Sequence, residues 1–123
     1  MPQVPHVSEA EWAVMEVLWA EGPVAVGRII EVLSASTEWH ANTIKTLVHR
    51  LVEKGAVGVS GTPRAYRYAA LVSREECVRA ENRSFLNRLY GGAVKPMLAA
   101  FLREEQLTPE DVEELKRLLD GEG

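Results

Sequence analysis

The chain has 123 residues, 46% hydrophobic and 26% charged, enough for a domain with an appendage and for a small core built without disulfide or metal staples. Its formal charge of −4 gives no general attraction to polyanions, so a nucleic-acid partner would have to meet a local basic patch. A single cysteine, Cys77, can make no internal disulfide and cannot by itself hold a tetrahedral metal. No basic leader followed by an apolar run and no membrane-length apolar stretch is present, so the expectation is a soluble cytoplasmic protein without membrane insertion.

In chain order, Ser8-Glu9-Ala10-Glu11 has capping-box form and opens a helix carrying Trp12, Met15, Leu18 and Trp19, closed by Gly22-Pro23. Val26, Ile29, Ile30 and Leu33 make a second apolar stripe at helical spacing, followed by a short polar link over residues 34–38. Residues 40–54, HANTIKTLVHRLVEK, form a third helix pattern with two chemically different faces. Ile44, Leu47, Val48 and Leu51 recur at i, i+3, i+4, i+7, and Asn42, Lys45, Thr46, His49 and Arg50 fall on the other side. Gly55 suits a helix end, and AVGVS, GTPR and AYRYAA then read as strand, turn and strand over residues 56–70. The period of two puts Tyr66 and Tyr68 on one face of the second strand and Arg67 on the other.

A polar outer face alone is what most solvated helices show. The order helix, helix, helix, hairpin within some seventy residues is what gives it meaning, because that is the order of a winged helix-turn-helix. Charge follows the same division. Residues 1–39 hold Arg28 against six glutamates, residues 73–123 hold eight basic against eleven acidic residues, and residues 40–72 hold Lys45, Arg50, Lys54, Arg64 and Arg67 against Glu53 alone. The positive charge therefore gathers on the third helix and the wing, where a phosphate footprint would lie.

Asn42, Thr43, Lys45 and Thr46 sit on the first turns of that helix, the end that enters a major groove in helix-turn-helix proteins. Asparagine can pair with adenine, lysine with guanine, and threonine can offer a hydroxyl to a base or a methyl to thymine. His49 lies on the same polar face. Arg50, Lys54, Arg64 and Arg67 are further along the helix and on the wing, where contact with the backbone or minor groove is expected. The partner expected is double-stranded operator DNA.

After residue 72, Ser73-Arg74-Glu75-Glu76 is another capping box, opening a helix with Val78, Phe85, Leu86 and Leu89 that runs to Gly91-Gly92. Val94, Met97, Leu98, Phe101 and Leu102 follow, and Thr108-Pro109 starts a last helix with Val112, Leu115, Leu118 and Leu119. Such short helices can bury their stripes against a second copy, making a homodimer through Val94, Leu98, Phe101, Leu102, Val112, Leu115, Leu118 and Leu119, or back against the rest of one chain. The expected fold is mainly α with a small β-hairpin, as a winged helix-turn-helix over residues 1–72 and a helical dimerisation region over residues 73–123. His6, His40 and His49 are scattered, and no phosphate loop or metal-spaced ligand set occurs, so neither an enzyme nor a cofactor or metal site is expected. A winged helix serving only as a protein-interaction module remains the alternative, and Lys45, Arg50 and Arg64 count against it.

The segments SEAEWAVMEVLW, WHANTIKTLVHRLVEKG, AYRYAALVSREE, FLNRLYGG and EELKRLL resemble, in order and over nearly the whole chain, the BlaI/MecI/CopY family of bacterial repressors. The resemblance implies a dimeric winged-helix repressor of a β-lactamase, antibiotic-resistance or related stress operon. Copper-responsive members are similar over residues 39–51 but carry a C-terminal Cys-x-Cys-x4-Cys-x-Cys motif, whereas this tail is EELKRLLDGEG. A copper-type repressor would thus lack its sulfur ligands here. The β-lactam branch further implies a membrane sensor protease and release by cutting an Asn-Phe bond. The corresponding bond is Ala100-Phe101, which keeps the phenylalanine and departs at the residue before it.

Overall fold

The computed structural model describes residues 4–121, so the outermost ends of both expected regions, residues 1–3 and 122–123, lie outside the described residues. Three helices come first: α1 (Glu9–Glu21), α2 (Val26–Ser36) and α3 (Ala41–Glu53). A hairpin of β1 (Val57–Ser60) and β2 (Arg67–Ala70) follows, then α4 (Arg74–Tyr90), α5 (Val94–Glu104) and α6 (Pro109–Leu119). The mainly helical chain with one small hairpin is the expected fold class. No described helix is long and apolar enough to cross a membrane.

Each helix start is set by local chemistry. Ser8 caps α1 as foreseen: its Oγ accepts the Glu11 amide at 3.2 Å and Glu11 Oε1 accepts the Ser8 amide at 2.9 Å. Ser73 and Glu76 repeat the reciprocal pair at α4, and Thr108 and Asp111 repeat it at α6. The segment between α2 and α3 is shorter than expected, because α2 continues through Ser36. Its end is closed by Thr37, whose amide and hydroxyl both donate to the Leu33 carbonyl.

Chain contacts divide the molecule into one compact unit ending at Glu81 and another beginning at Asn82. The core of the first joins Val14 and Met15 of α1, Ile29 of α2, Ile44 and Leu51 of α3, Val57 of β1 and Cys77 of α4. Burying each larger aliphatic side chain contributes about 1.5–3 kcal/mol. Trp12 and Trp19, expected among the core stripe, are half-buried and pack edge to face at 5.3 Å, while Trp19 Nε1 donates to the Val72 carbonyl at 2.9 Å. Their indole N–H groups need partners, which holds them at the rim.

The hairpin pairs antiparallel from Val57 opposite Ala70 to Ser60 opposite Arg67. The second strand begins two residues later than its pattern suggests. The Ala65 amide donates to the Thr62 carbonyl at 2.8 Å, closing a turn with Pro63 and Arg64 at its corners, and Gly61 at φ +90° leads into it. A Cβ at Gly61 would lie 2.6 Å from the Ala65 carbonyl oxygen, so this reversal requires glycine. Val24, between α1 and α2, exchanges two backbone hydrogen bonds with Tyr68 and so adds a third short pairing to the wing.

One buried charge stands out. Glu11 is 1% exposed, and its Oε1 accepts from Lys54 Nζ at the end of α3, which also donates to the His6 carbonyl at 2.9 Å. Burial pushes the Glu11 carboxyl up, but the hydrogen bond from Lys54 and those from the Ser8 amide and hydroxyl together hold it below its ordinary value. Its stabilisation is therefore complete above the ordinary glutamate pKa and is lost as pH falls through the depressed folded value. Lys54→Met should cost about 2–3 kcal/mol, less than a fully buried pair because the Lys54 side chain is 34% exposed. Urea unfolding across the acid range tests both points: Glu11→Gln should flatten the acid limb, and an unchanged acid dependence would remove Glu11 from it.

Candidate nucleic-acid interface

The outward face of α3 is built by periodicity. Ile44, Leu47, Val48 and Leu51 are buried, so Asn42, Thr43, Lys45, Thr46, His49 and Arg50 are all exposed. His40 occupies the N-cap position and makes no side-chain cap bond, so the first amides of α3, unlike those of α1 and α6, lack a side-chain acceptor. That helix end carries partial positive charge and favours an anion. Thr46 Oγ1 donates to the Asn42 carbonyl at 3.0 Å, leaving its oxygen lone pairs to accept. His49 Nε2 meets Glu53 Oε1 at 2.9 Å one turn along.

The basic residues expected to touch backbone are deployed differently. Arg50 is exposed in the last turn of α3, and Arg64 is exposed at the corner of the wing turn. Arg67 lies on the opposite face of β2 from Tyr68 and donates to the Pro23 carbonyl at 3.3 Å. Lys54 is committed to Glu11 and His6. Lys54 and Arg67 thus keep only part of their donor capacity for a phosphate. The composition signal that nominated them counts charge and cannot see these internal partners.

Between the outward face of α3 and the wing runs a groove of about 560 Å³, lined by Lys45, Val48, His49 and Val52 of α3, Val26 of α2, and Val59, Tyr66 and Tyr68 of the hairpin. Tyr66 and Tyr68 share that wall, as their alternation indicates. The groove itself is not readable in sequence, because it depends on the angle between helix and hairpin.

In the unit that begins at Asn82, the eight residues of the expected dimer face are all exposed: Val94, Leu98, Phe101 and Leu102 on α5, and Val112, Leu115, Leu118 and Leu119 on α6. Leu118 is 62% exposed and Leu119 78%. Ala100 and Phe101 lie within α5 in helical conformation, and the Phe101 ring stacks on Phe85 with centroids 6.1 Å apart. Cys77 is buried in the first unit's core, and burial, then Glu76 and Glu81, push its thiol up, which disfavours a reactive thiolate.

The family model described as penicillinase repressor matches residues 7–121. The penicillinase repressor of Bacillus licheniformis is 32% identical over 120 residues, covering 98% of this chain and 94% of that protein. The methicillin resistance regulatory protein MecI of Staphylococcus aureus is 29% identical over 115 residues, covering 94% of each. Among solved structures, the DNA-binding domain of the repressor BlaI superposes with a TM-score of 0.55 at 30% identity, covering 62% of this chain and 93% of that one. The monomeric form of Bacillus licheniformis BlaI in complex with the blaP half-operator gives a TM-score of 0.54 at 30% identity and the same coverage. These relatives are repressors and a regulatory protein, not enzymes. The chain belongs to the penicillinase repressor family of transcriptional regulators.

Proposed function

We propose that this chain is a dimeric repressor that reads a palindromic operator with the first turns of α3 and silences a β-lactamase, antibiotic-resistance or related stress operon by occupancy. The observation that carries the reading is the exposure of all six of Asn42, Thr43, Lys45, Thr46, His49 and Arg50 on one face of a helix whose other face is buried. The similarity to a repressor solved with a half-operator supports it. Asn42, Thr43, Lys45 and Thr46 meet base edges, and Arg50, Arg64 and the remaining donors of Lys54 and Arg67 meet backbone. Residues 1–72 read DNA and residues 73–123 dimerise. Asn42→Ala or Lys45→Ala should cost roughly 1–3 kcal/mol on the chain's own upstream operator and relax one position per half-site. Arg64→Ala should weaken specific and random DNA alike and lower the salt slope by about one. Mobility shifts giving equal losses on both DNAs for Asn42→Ala would overturn the base-reading role.

Dimerisation follows from the exposed stripes of α5 and α6. At ~25 cal/mol per Å², covering a few hundred Å² of them contributes several kcal/mol toward holding two subunits together. Two linked half-site readers then gain an effective concentration that neither has alone. Sedimentation of L115E/L118E should show monomers with weakened operator binding and an intact winged helix. A variant still dimeric would move the interface elsewhere.

Release by a sensor protease cutting Ala100-Phe101 would part α6 and the end of α5 from the DNA-reading helix. A protease takes an extended strand, and this bond sits inside α5, so the helix must open locally first. Mass spectrometry of the protein from induced cells should find a fragment ending at Ala100. Full-length chain throughout derepression would exclude this route.

A further inference from the structure

The groove beside α3 has the size and lining of a small-molecule site, since such sites run to about 300–1,000 Å³ and combine apolar walls with a few polar groups. Val48, Val52 and Val59 supply aliphatic surface, and the rings of Tyr66 and Tyr68 flank it. Lys45 is the lining cation, and it makes no ion pair or side-chain hydrogen bond among the described residues. The other polar lining side chain that can carry charge, His49, faces Glu53, so a second anion there would meet repulsion, whereas Lys45 carries an unanswered positive charge. The acid end of a ligand is accordingly directed to Lys45 and its apolar body to the tyrosines and valines.

The geometry points to a regulatory site for a small aromatic carboxylate, lying in the groove between α3 and the wing with its carboxylate on Lys45, whose occupation excludes operator DNA. Exclusion rests on the reading above, because Lys45 and His49 belong to the face assigned to the major groove. A bound anion neutralises one and fills the space beside both. Binding and base reading are then mutually exclusive by shared atoms, with no conformational relay required. The tyrosines have a role under this assignment that a DNA-reading helix alone does not give them.

The probe is 2-naphthoate, with 2-naphthalenemethanol as its neutral counterpart, titrated into the full chain and followed by amide NMR shifts. Saturable shifts confined to the amides of Lys45, Val52, Val59 and Tyr68 are expected for the acid, with the alcohol at least about tenfold weaker, as loss of a charge-assisted hydrogen bond implies. Lys45→Met, a change on an exposed helix position, should remove the difference between the two, and Tyr66→Ala should weaken both. No saturation at millimolar acid, equal binding of acid and alcohol, or shifts centred on α5 and α6 would overturn the site. Acid at ten times its Kd should raise the Kd of one half-site about elevenfold and that of a dimer on the full operator by about the square of that. Unchanged operator affinity at saturating acid would overturn the exclusion, and the Asn42→Ala mobility shifts, made without acid, report separately whether α3 reads bases at all.

Discussion

The position of α3 depends on a carboxylate that has left water. Glu11 belongs to the first turn of α1, where its Oε1 serves the Ser8 amide, and the same oxygen receives Lys54 from the far end of α3. Lys54 in turn reaches the His6 carbonyl ahead of α1. A group that caps one helix is thereby also the anchor of another, and a buried charge tolerates little displacement of its partner. The ion pair fixes the C-terminal end of α3, and the uncapped N-terminal end is left with its first amides available.

The apolar face of α3 acts with that anchor. Ile44 and Leu51 are fully buried in a core shared with α1, α2, β1 and α4, so rotation of the helix about its axis would bring polar side chains into contact with Val14, Met15 and Ile29. Precision on the outer face is thus a property of the inner one. The wing is set by a second device, the paired hydrogen bonds of Val24 with Tyr68, which tie the hairpin to the start of α2. Helix and wing share a core through Leu51 and Val57 and each has its own fixing besides, and the groove between them is the space those fixings leave.

Periodic features were legible in sequence because they are local. Capping boxes at Ser8, Ser73 and Thr108, the two faces of α3, and the alternation of Tyr66 and Tyr68 all follow from spacing within one element. Features that depend on residues far apart were not. Glu11 reads as one more first-turn acid until Lys54, 43 positions away, is brought onto it, and Val24 has no strand pattern of its own before Tyr68 pairs with it. The ends of α2 and β2 shifted for a related reason, since Thr37 and the Thr62–Ala65 turn settle their hydrogen bonds by exact backbone geometry. Candidate DNA contacts could be named by type and face, but the internal partners that partly occupy Lys54 and Arg67 are tertiary facts.

The aromatic residues give the two units different optical signatures. All three tryptophans, Trp12, Trp19 and Trp39, precede Glu81, and Trp12 and Trp19 lie in edge contact at the rim of the first core. The unit from Asn82 onward holds Phe85, Tyr90 and Phe101 and no tryptophan. Indole emission therefore follows the winged helix alone, while far-ultraviolet dichroism sums α5 and α6 with the rest. Melting curves recorded in the two channels coincide when the units unfold together and separate when the second lets go first, so a single spectrometer can time the loss of one against the other without any label.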